Sequence, residues 1–161
     1  MNFVTKVTSA LILSMGLANA AIYDVDASHT NVGFTVKHMM ITNVNGNFAT
    51  YDANIDFDPA TKTFKTFSAT VETNSINTGI EKRDDHLRSE DFFASEKFPK
   101  MTFEMTSYKA DGDDGEMKGN LTIRGITKPV TLKVEDIGTI KDFKNQNRVG
   151  FSLKGKINRM D

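Results

Sequence analysis

The densest group of charged and titratable side chains lies in the segment Arg83-Asp84-Asp85-His86-Leu87-Arg88. These charges could form a polar gate that contacts the headgroup of a bound molecule. They could equally form a network of ion pairs and hydrogen bonds, and charges with several partners more often serve structure. We favour the structural interpretation. The candidates for an entrance or a headgroup contact are His38, Arg83, Asp84, His86 and Arg88.

Three histidines, His29, His38 and His86, could in principle bind a metal ion, with Asp84 or Asp85 in support. Their spacing matches no compact ligand motif. A Ser-His-Asp arrangement could assemble around His29 from distant residues, but the sequence contains no nucleophile elbow, P-loop or dinucleotide turn. We therefore expect no metal, no cofactor and no enzyme activity.

The elements that position these residues are predicted to be strands, because apolar and polar residues alternate along most of the chain. Short links at residues 111–115, 125–129 and 144–147 indicate that successive strands pair antiparallel. We expect an all-β fold, an antiparallel barrel of about eight strands, with a two-sheet sandwich as the competing arrangement.

The segment from Asn77 to Lys100 interrupts the alternation. Thr78 followed by Glu81 has the spacing of a capping box, which predicts a helix over residues 79–88. Ser89 could cap a further short turn that carries Phe92 and Phe93. A connection of this length in a compact domain is more often functional than idle, so we expect it to form a lid or plug.

Residues 1–20 have the features of a cleavable signal peptide. Lys6 precedes an apolar core over residues 7–17, and Ala18-Asn19-Ala20 supplies the small residues that a signal peptidase needs. We expect export to the periplasm, an intact mass that begins at Ala21, and a single domain over residues 21–161. An uncleaved anchor is the alternative, but the apolar stretch is too short to span a membrane.

Composition narrows the class of partner. Residues 1–20 contain Lys6 as their one charged side chain, so the remainder has 19 basic residues against 21 acidic ones. No basic patch suited to nucleic acid is visible. The 12 Phe and the absence of Trp indicate a dry interior, since Phe carries no polar group. A membrane-spanning barrel is rejected because aromatic girdles and outward apolar bands are missing.

Several ordered stretches cover nearly the whole chain after residue 20, at residues 23–29, 32–39, 44–48, 83–93, 97–103, 119–130 and 158–159. Together they resemble the YceI-like family of bacterial periplasmic proteins, often called polyisoprenoid-binding. The resemblance implies a lipocalin-like barrel with a hydrophobic tunnel for isoprenoid or fatty chains. In the family a further strand usually follows the stretch like Asn158-Arg159, so we expect an open barrel edge here and a tendency to form a homodimer.

The resemblance and the barrel size imply that inward side chains line a cavity, and flexible Met suits a wall that accommodates a varied apolar guest. The expected function is binding or transport of a polyisoprenoid, quinone or other long-chain amphiphile in the periplasm. The alternatives are a cryptic lipid amide or ester hydrolase and a stress-related structural or interaction protein. The expected lining residues are Val32, Phe34, Val36, Met39, Phe48, Ile55, Phe57, Phe67, Val71, Leu87, Phe92, Met101, Phe103, Met105, Met117, Leu121, Ile123, Leu132, Val134, Phe151 and Leu153.

Overall fold

The computed structural model of the protein describes residues 21–38 and 41–158. The predicted signal peptide, Met39 and the side chain of His38 lie outside the described residues. Ten strands and one α-helix occur in the described part. They are β1 (Ala21–Tyr23), β2 (Val32–His38), β3 (Thr42–Phe48), β4 (Tyr51–Asp58), β5 (Thr63–Glu72), β6 (Ile76–Asn77), α1 (Glu81–Arg88), β7 (Lys100–Asp111), β8 (Asp114–Ile123), β9 (Ile126–Lys141) and β10 (Asn147–Lys154).

Seven strands form one antiparallel sheet in the order β1-β4-β5-β7-β8-β9-β10, and β2, β3 and β6 form a second, three-stranded sheet. The edge strands of the large sheet approach each other. Arg148 in β10 forms an ion pair of 3.0 Å with Asp26, which lies three residues beyond β1. The large sheet is therefore a nearly closed antiparallel barrel, and the predicted fold class is confirmed.

Alternation along the strands produces two groups of buried apolar residues. The barrel cluster lies on the inner face of the large sheet and consists of Ile55, Phe57, Phe64, Phe67, Phe103, Met117, Val134 and Ile137. The lid cluster consists of Phe48, Val71 and Ile76, with Val32, Phe34 and Leu87 among the residues packed against it. The two clusters meet on β5 and β7, where the pair Ala69–Phe103 belongs to the barrel cluster and the next inward pair, Val71–Met101, to the lid cluster.

The turns between the long strands are tighter than the sequence predicts. Asp111 pairs directly with Asp114, and Ile123 pairs directly with Ile126, so each connection is a two-residue hairpin turn. Arg124 and Gly125 both have positive φ angles, 52° and 73°, as a turn that follows the twist of its strands requires. The links predicted at 111–115 and 125–129 were therefore too long, because strand pairing continues up to each turn.

The capping box predicted at Thr78 and Glu81 is wrong. Helix α1 begins at Glu81, its N-cap is Ile80, and no side chain caps it. Gly79, which was expected to be the first helical residue, has a φ of +82°. Thr78 uses its backbone N–H and its hydroxyl to bind the carboxylate of Asp84 instead, at 2.9 Å and 2.6 Å. The segment before the helix is therefore held by the carboxylate of Asp84, which lies one turn into the helix, and not by Glu81.

Candidate functional site

The predicted lining residues differ widely in exposure. Phe48, Ile55, Phe57, Phe67, Val71, Phe103, Met117 and Val134 are buried. A second group is partly buried, and most of its members pack against one of the two clusters: Val32, Phe34, Leu87, Phe92, Met101, Met105, Leu121, Ile123, Leu132, Phe151 and Leu153. Val36 is 52% exposed, contrary to its predicted inward position. It pairs with Val44 near the turn end of the β2–β3 hairpin, two residues from the last pair His38–Thr42 and away from the lid cluster.

The centre of the barrel cluster is a contact network of aromatic rings. Phe64 has its ring centroid 4.9 Å from that of Phe57, 5.1 Å from that of Tyr108 and 5.0 Å from that of Phe151. Phe57, Met117 and Val134 have no exposed surface. A bound molecule could reach these three side chains only after the cluster rearranges, so the partly buried residues are the accessible part of the interior.

Sequence periodicity missed Phe64, Tyr108 and Ile137 because register shifts interrupt the alternation. Phe64 is three residues before the inward Phe67, and a shift at Asp56/Phe57 brings it inward. Tyr108 follows Met105 at the same odd spacing, across a shift between Met105 and Ser107. Ile137 follows Asp136, whose φ is +58°. A β-bulge inserts one residue and thereby reverses which face the later residues occupy, and no sequence signal marked these sites.

Two hydroxyl groups lie in this apolar interior without a partner. The Oη atoms of Tyr23 and Tyr108 are buried and form no hydrogen bond to any described residue. Burial raises the pKa of the Tyr108 hydroxyl, with the Asp114 carboxylate adding to the increase, so this group stays protonated and able to donate. A buried unsatisfied hydroxyl costs about 1–3 kcal/mol, which an oxygen acceptor on a bound molecule would recover.

Glycines allow two aromatic rings to approach a neighbouring strand closely. A Cβ atom at Gly119 would lie 2.6 Å from Cε2 of Phe103, and one at Gly46 would lie 2.8 Å from Cε1 of Phe34. Each ring therefore occupies the space above a glycine on the neighbouring strand. A larger residue at either glycine would displace the ring that lies against it.

Gly119→Ala is expected to destabilise the protein by about 1–3 kcal/mol, because the new methyl group must displace the Phe103 ring or the Glu104 carbonyl. Chemical denaturation followed by circular dichroism measures this change. The matched control is Gly138→Ala, since a Cβ atom at Gly138 would meet nothing within 4 Å. Equal effects of the two substitutions would contradict the proposed contact.

The charged residues Arg83, Asp84 and Arg88 of α1 form hydrogen bonds and ion pairs mainly with residues 74–85, in and just before the helix. Asp84 is 4% exposed and accepts both hydrogen bonds from Thr78. Arg83 donates from Nε to the Thr78 hydroxyl at 2.7 Å and from Nη2 to the Thr78 carbonyl at 2.9 Å. Arg88 donates to the carbonyls of Asn74 and Ile76 and forms an ion pair of 2.9 Å with Asp85. These contacts favour the structural interpretation of Arg83, Asp84 and Arg88.

His86 differs from Arg83, Asp84 and Arg88 because it faces solvent. Its side chain is 60% exposed and lies 3.0 Å from the Asp91 carboxylate. Its ring also contacts Phe92 edge to face, with centroids 5.0 Å apart. Arg124, in the β8–β9 turn, donates to the carbonyls of Glu90 and Phe92 at 3.0 and 2.9 Å and so joins this segment to the barrel. His86 is thus the described member of the predicted entrance that could contact a headgroup without breaking the network.

Two concavities on the described residues are lined mainly by polar or charged residues and lie apart from the predicted lining. One of about 250 Å³ is lined by outward residues of β4 and β5, such as Asn54, Ser68 and Thr70. The other, of about 890 Å³, is lined mainly by charged residues such as Lys109, Glu116 and Lys133. Within the described residues, no group of three His, Asp or Glu side chains could hold a metal ion. None of the described helices is long and apolar enough to cross a membrane.

Comparison with known proteins decides the family. The model of the YceI-like domain matches residues 23–161. The chain belongs to the YceI-like family. Protein YceI of Escherichia coli O17:K52:H18 is 39% identical over 155 residues, which cover 95% of this chain and 81% of that protein.

Solved structures of YceI-like proteins have the same architecture. The crystal structure of the Campylobacter jejuni YceI protein is 48% identical, covers 86% of this chain and 82% of that one, and superimposes with a TM-score of 0.73. A polyisoprenoid-binding domain from Saccharophagus degradans has a TM-score of 0.53 at 17% identity, covering 79% of this chain and 82% of its own. The second likeness concerns the fold alone.

Proposed function

We propose that this YceI-like protein binds a long-chain amphiphilic lipid, such as a polyisoprenoid or a quinone with a polyisoprenoid tail, inside its barrel, and that it carries the lipid without chemical change. The observation that carries the proposal is the continuous apolar lining between the lid and barrel clusters. The inward pairs Val71–Met101 and Ala69–Phe103 are neighbours on β5 and β7, so the lining has no polar interruption there.

The energetics of such a site favour long chains. Burial of roughly ten methylene groups contributes about 8 kcal/mol, at about 0.8 kcal/mol for each. Association costs about 4 kcal/mol or more, so a short chain binds weakly and a longer one tightly. The chain would contact the partly buried wall residues, since Phe57, Met117 and Val134 have no exposed surface.

The two unpaired tyrosine hydroxyls support an amphiphile over a pure hydrocarbon. Tyr23 and Tyr108 both pack against the barrel cluster, and their hydroxyls lack acceptors among the described residues. A carbonyl or ether oxygen of the ligand would accept from either one. The exposed imidazole of His86 offers a second polar contact at the lid.

The proposal includes the compartment. Residues 1–20 would direct export and be removed before Ala21, leaving the domain of residues 21–161 in the periplasm. There the protein would meet lipids that are poorly soluble in water and require a carrier. A polyisoprenoid-binding domain of the same fold, in Saccharophagus degradans, is consistent with this class of cargo.

The test is extraction of the natively purified protein with organic solvent, followed by mass spectrometry of both the lipid and the protein. We expect a polyprenyl or other long-chain species in near-stoichiometric amount and a protein mass that begins at Ala21. The matched control is Phe103→Asp purified in parallel. If the wild-type extract contains no more lipid than the control extract, the binding proposal fails. A mass that retains Met1 would refute the processing step.

A further inference from the structure

The β9–β10 hairpin extends beyond the rest of the large sheet. The last pair between β8 and β9 at this end is Gly115–Val134. Beyond it, residues 138–141 of β9 pair only with residues 147–150 of β10. Residues 138–150 therefore form a two-stranded projection, which we call the hairpin arm. Val149 at the base of this arm packs against the barrel cluster. Beyond that base the ribbon has no third strand, so both of its faces are open to contact.

The tip of the hairpin arm carries two large apolar side chains in water. Phe143 is fully exposed, with a relative accessibility of 110%, and Ile140 is 68% exposed. Single exposed apolar residues are common on protein surfaces. Here, however, two large apolar side chains are exposed close together, because Phe143 lies in the turn and Ile140 lies three residues before it.

The turn that presents Phe143 is held in one conformation. The carboxylate of Asp142 accepts hydrogen bonds from the backbone N–H groups of Lys144 and Gln146, each at 2.9 Å, and from Nε of Arg148 at 3.1 Å. The backbone hydrogen bond from Gln146 does most to lower the pKa of Asp142, and Lys144 and Arg148 add to the effect. Because the turn is ordered before any contact, little conformational entropy is lost when Phe143 is buried.

Charge at the tip is positive. Lys141 and Lys144 are exposed and form no ion pair with any described residue. The acidic residue of the turn, Asp142, is only 11% exposed. Its carboxylate already accepts hydrogen bonds from backbone N–H groups of the turn and pairs with Arg148. The nearby Asp26 is also bound to Arg148. The free charges that face an approaching surface are therefore those of the two lysines.

We propose that the hairpin arm docks the protein on an anionic lipid bilayer. Phe143 and Ile140 enter the boundary between headgroups and acyl chains, while Lys141 and Lys144 contact lipid phosphates. Basic residues near an anionic leaflet each contribute an attraction equivalent to roughly a fivefold gain in binding. The biological role rests on the proposed lipid-carrier function, since a carrier must collect its cargo from a membrane, but docking itself can be measured separately.

The chain contains no tryptophan, so one introduced at the tip reports on that site alone. The experiment adds vesicles of phosphatidylethanolamine with phosphatidylglycerol to the full chain carrying Phe143→Trp. We expect a blue shift of emission that salt weakens. In sedimentation with the same vesicles, we expect Phe143→Ala to lower binding roughly tenfold and Lys141→Gln or Lys144→Gln about fivefold each.

Ile126 supplies the matched control, because it is 57% exposed in the β8–β9 hairpin but lies away from the tip. Ile126→Trp should show no shift with vesicles, and Ile126→Ala should bind as the wild type does. An unshifted Phe143→Trp spectrum, or equal binding by Phe143→Ala, would overturn the proposal. A blue shift that rises with protein concentration in the absence of vesicles would also overturn it and assign the tip to contact between two copies.

Failure of docking and failure of the carrier function give different results. Phe143→Ala should yield the wild-type amount of extracted lipid, since the tip is remote from the barrel cluster. Lipid in the extract without vesicle binding would leave the carrier function standing and overturn the docking proposal. Vesicle binding without extracted lipid would support the docking surface and refute the carrier function.

Discussion

Phe103→Asp is expected to remove bound lipid and to destabilise the fold by about 3–5 kcal/mol, which is the usual effect of leaving an unpaired charge buried. Phe103 is 8% exposed, packs in the barrel cluster and has its ring 6.1 Å from that of Phe67. An aspartate there would either be ionised without a partner or take up a proton, and both outcomes oppose folding. Thermal denaturation and lipid extraction measure the two effects.

Two further substitutions serve as controls for Phe103→Asp. One introduces the same charge on the outer face of the sheet, and the other reduces packing at Phe103 without introducing a charge. Asn120→Asp lies on the exposed face of β8, next to the inward Leu121, and should change neither stability nor lipid content appreciably. Phe103→Leu keeps the wall apolar, so it should retain lipid despite some loss of stability. If Asn120→Asp and Phe103→Asp have equal effects, the assignment of inner and outer faces is wrong.

Asp84→Ala is expected to destabilise the lid segment by about 1–3 kcal/mol, because it leaves the partly buried N–H and hydroxyl of Thr78 without their acceptor. The effect should be local. Hydrogen exchange should show faster exchange over α1 and β6 than over β8, since α1 is held mainly by these contacts and by the carbonyl bonds of Arg88.

Exposed neighbours provide the comparison for Asp84. Asp85→Ala should lower the free energy of unfolding only slightly, because the Asp85 side chain in its ion pair with Arg88 is 67% exposed. His86→Ala should leave stability nearly unchanged and alter lipid content only if its imidazole contacts the headgroup. A variant Asp84→Ala with wild-type exchange and reduced lipid content would show that Asp84 is a ligand contact rather than a structural residue.

Alternation in the sequence was sufficient to predict the all-β class, and the family resemblance indicated a barrel rather than a sandwich. Alternation places Ile55, Phe67, Met117 and Val134 inward, and all four are buried. The break in alternation after Asn77 locates the helix within two residues of its observed start. These features could be predicted because the side-chain period of a strand and the loss of that period in a helix are local properties of the chain.

Features that depend on partner strands could not be predicted. Register shifts bring Phe64, Tyr108 and Ile137 inward against the expected alternation, and no local residue pattern announces them. The role of Asp84 depends on the close approach of Thr78, which capping rules assigned to Glu81. Exposure of Val36 results from which elements cover β2, since that strand pairs with β3 alone.

The sequence determined which residues are apolar and how they repeat, and this sets the fold class and the general composition of the interior. Tertiary structure decided which of those residues are sealed in the aromatic network, which remain accessible to a ligand, and that Phe143 projects into water. The physical reason is that burial of a side chain is fixed by the elements that come to lie against it, and these elements are distant in the sequence.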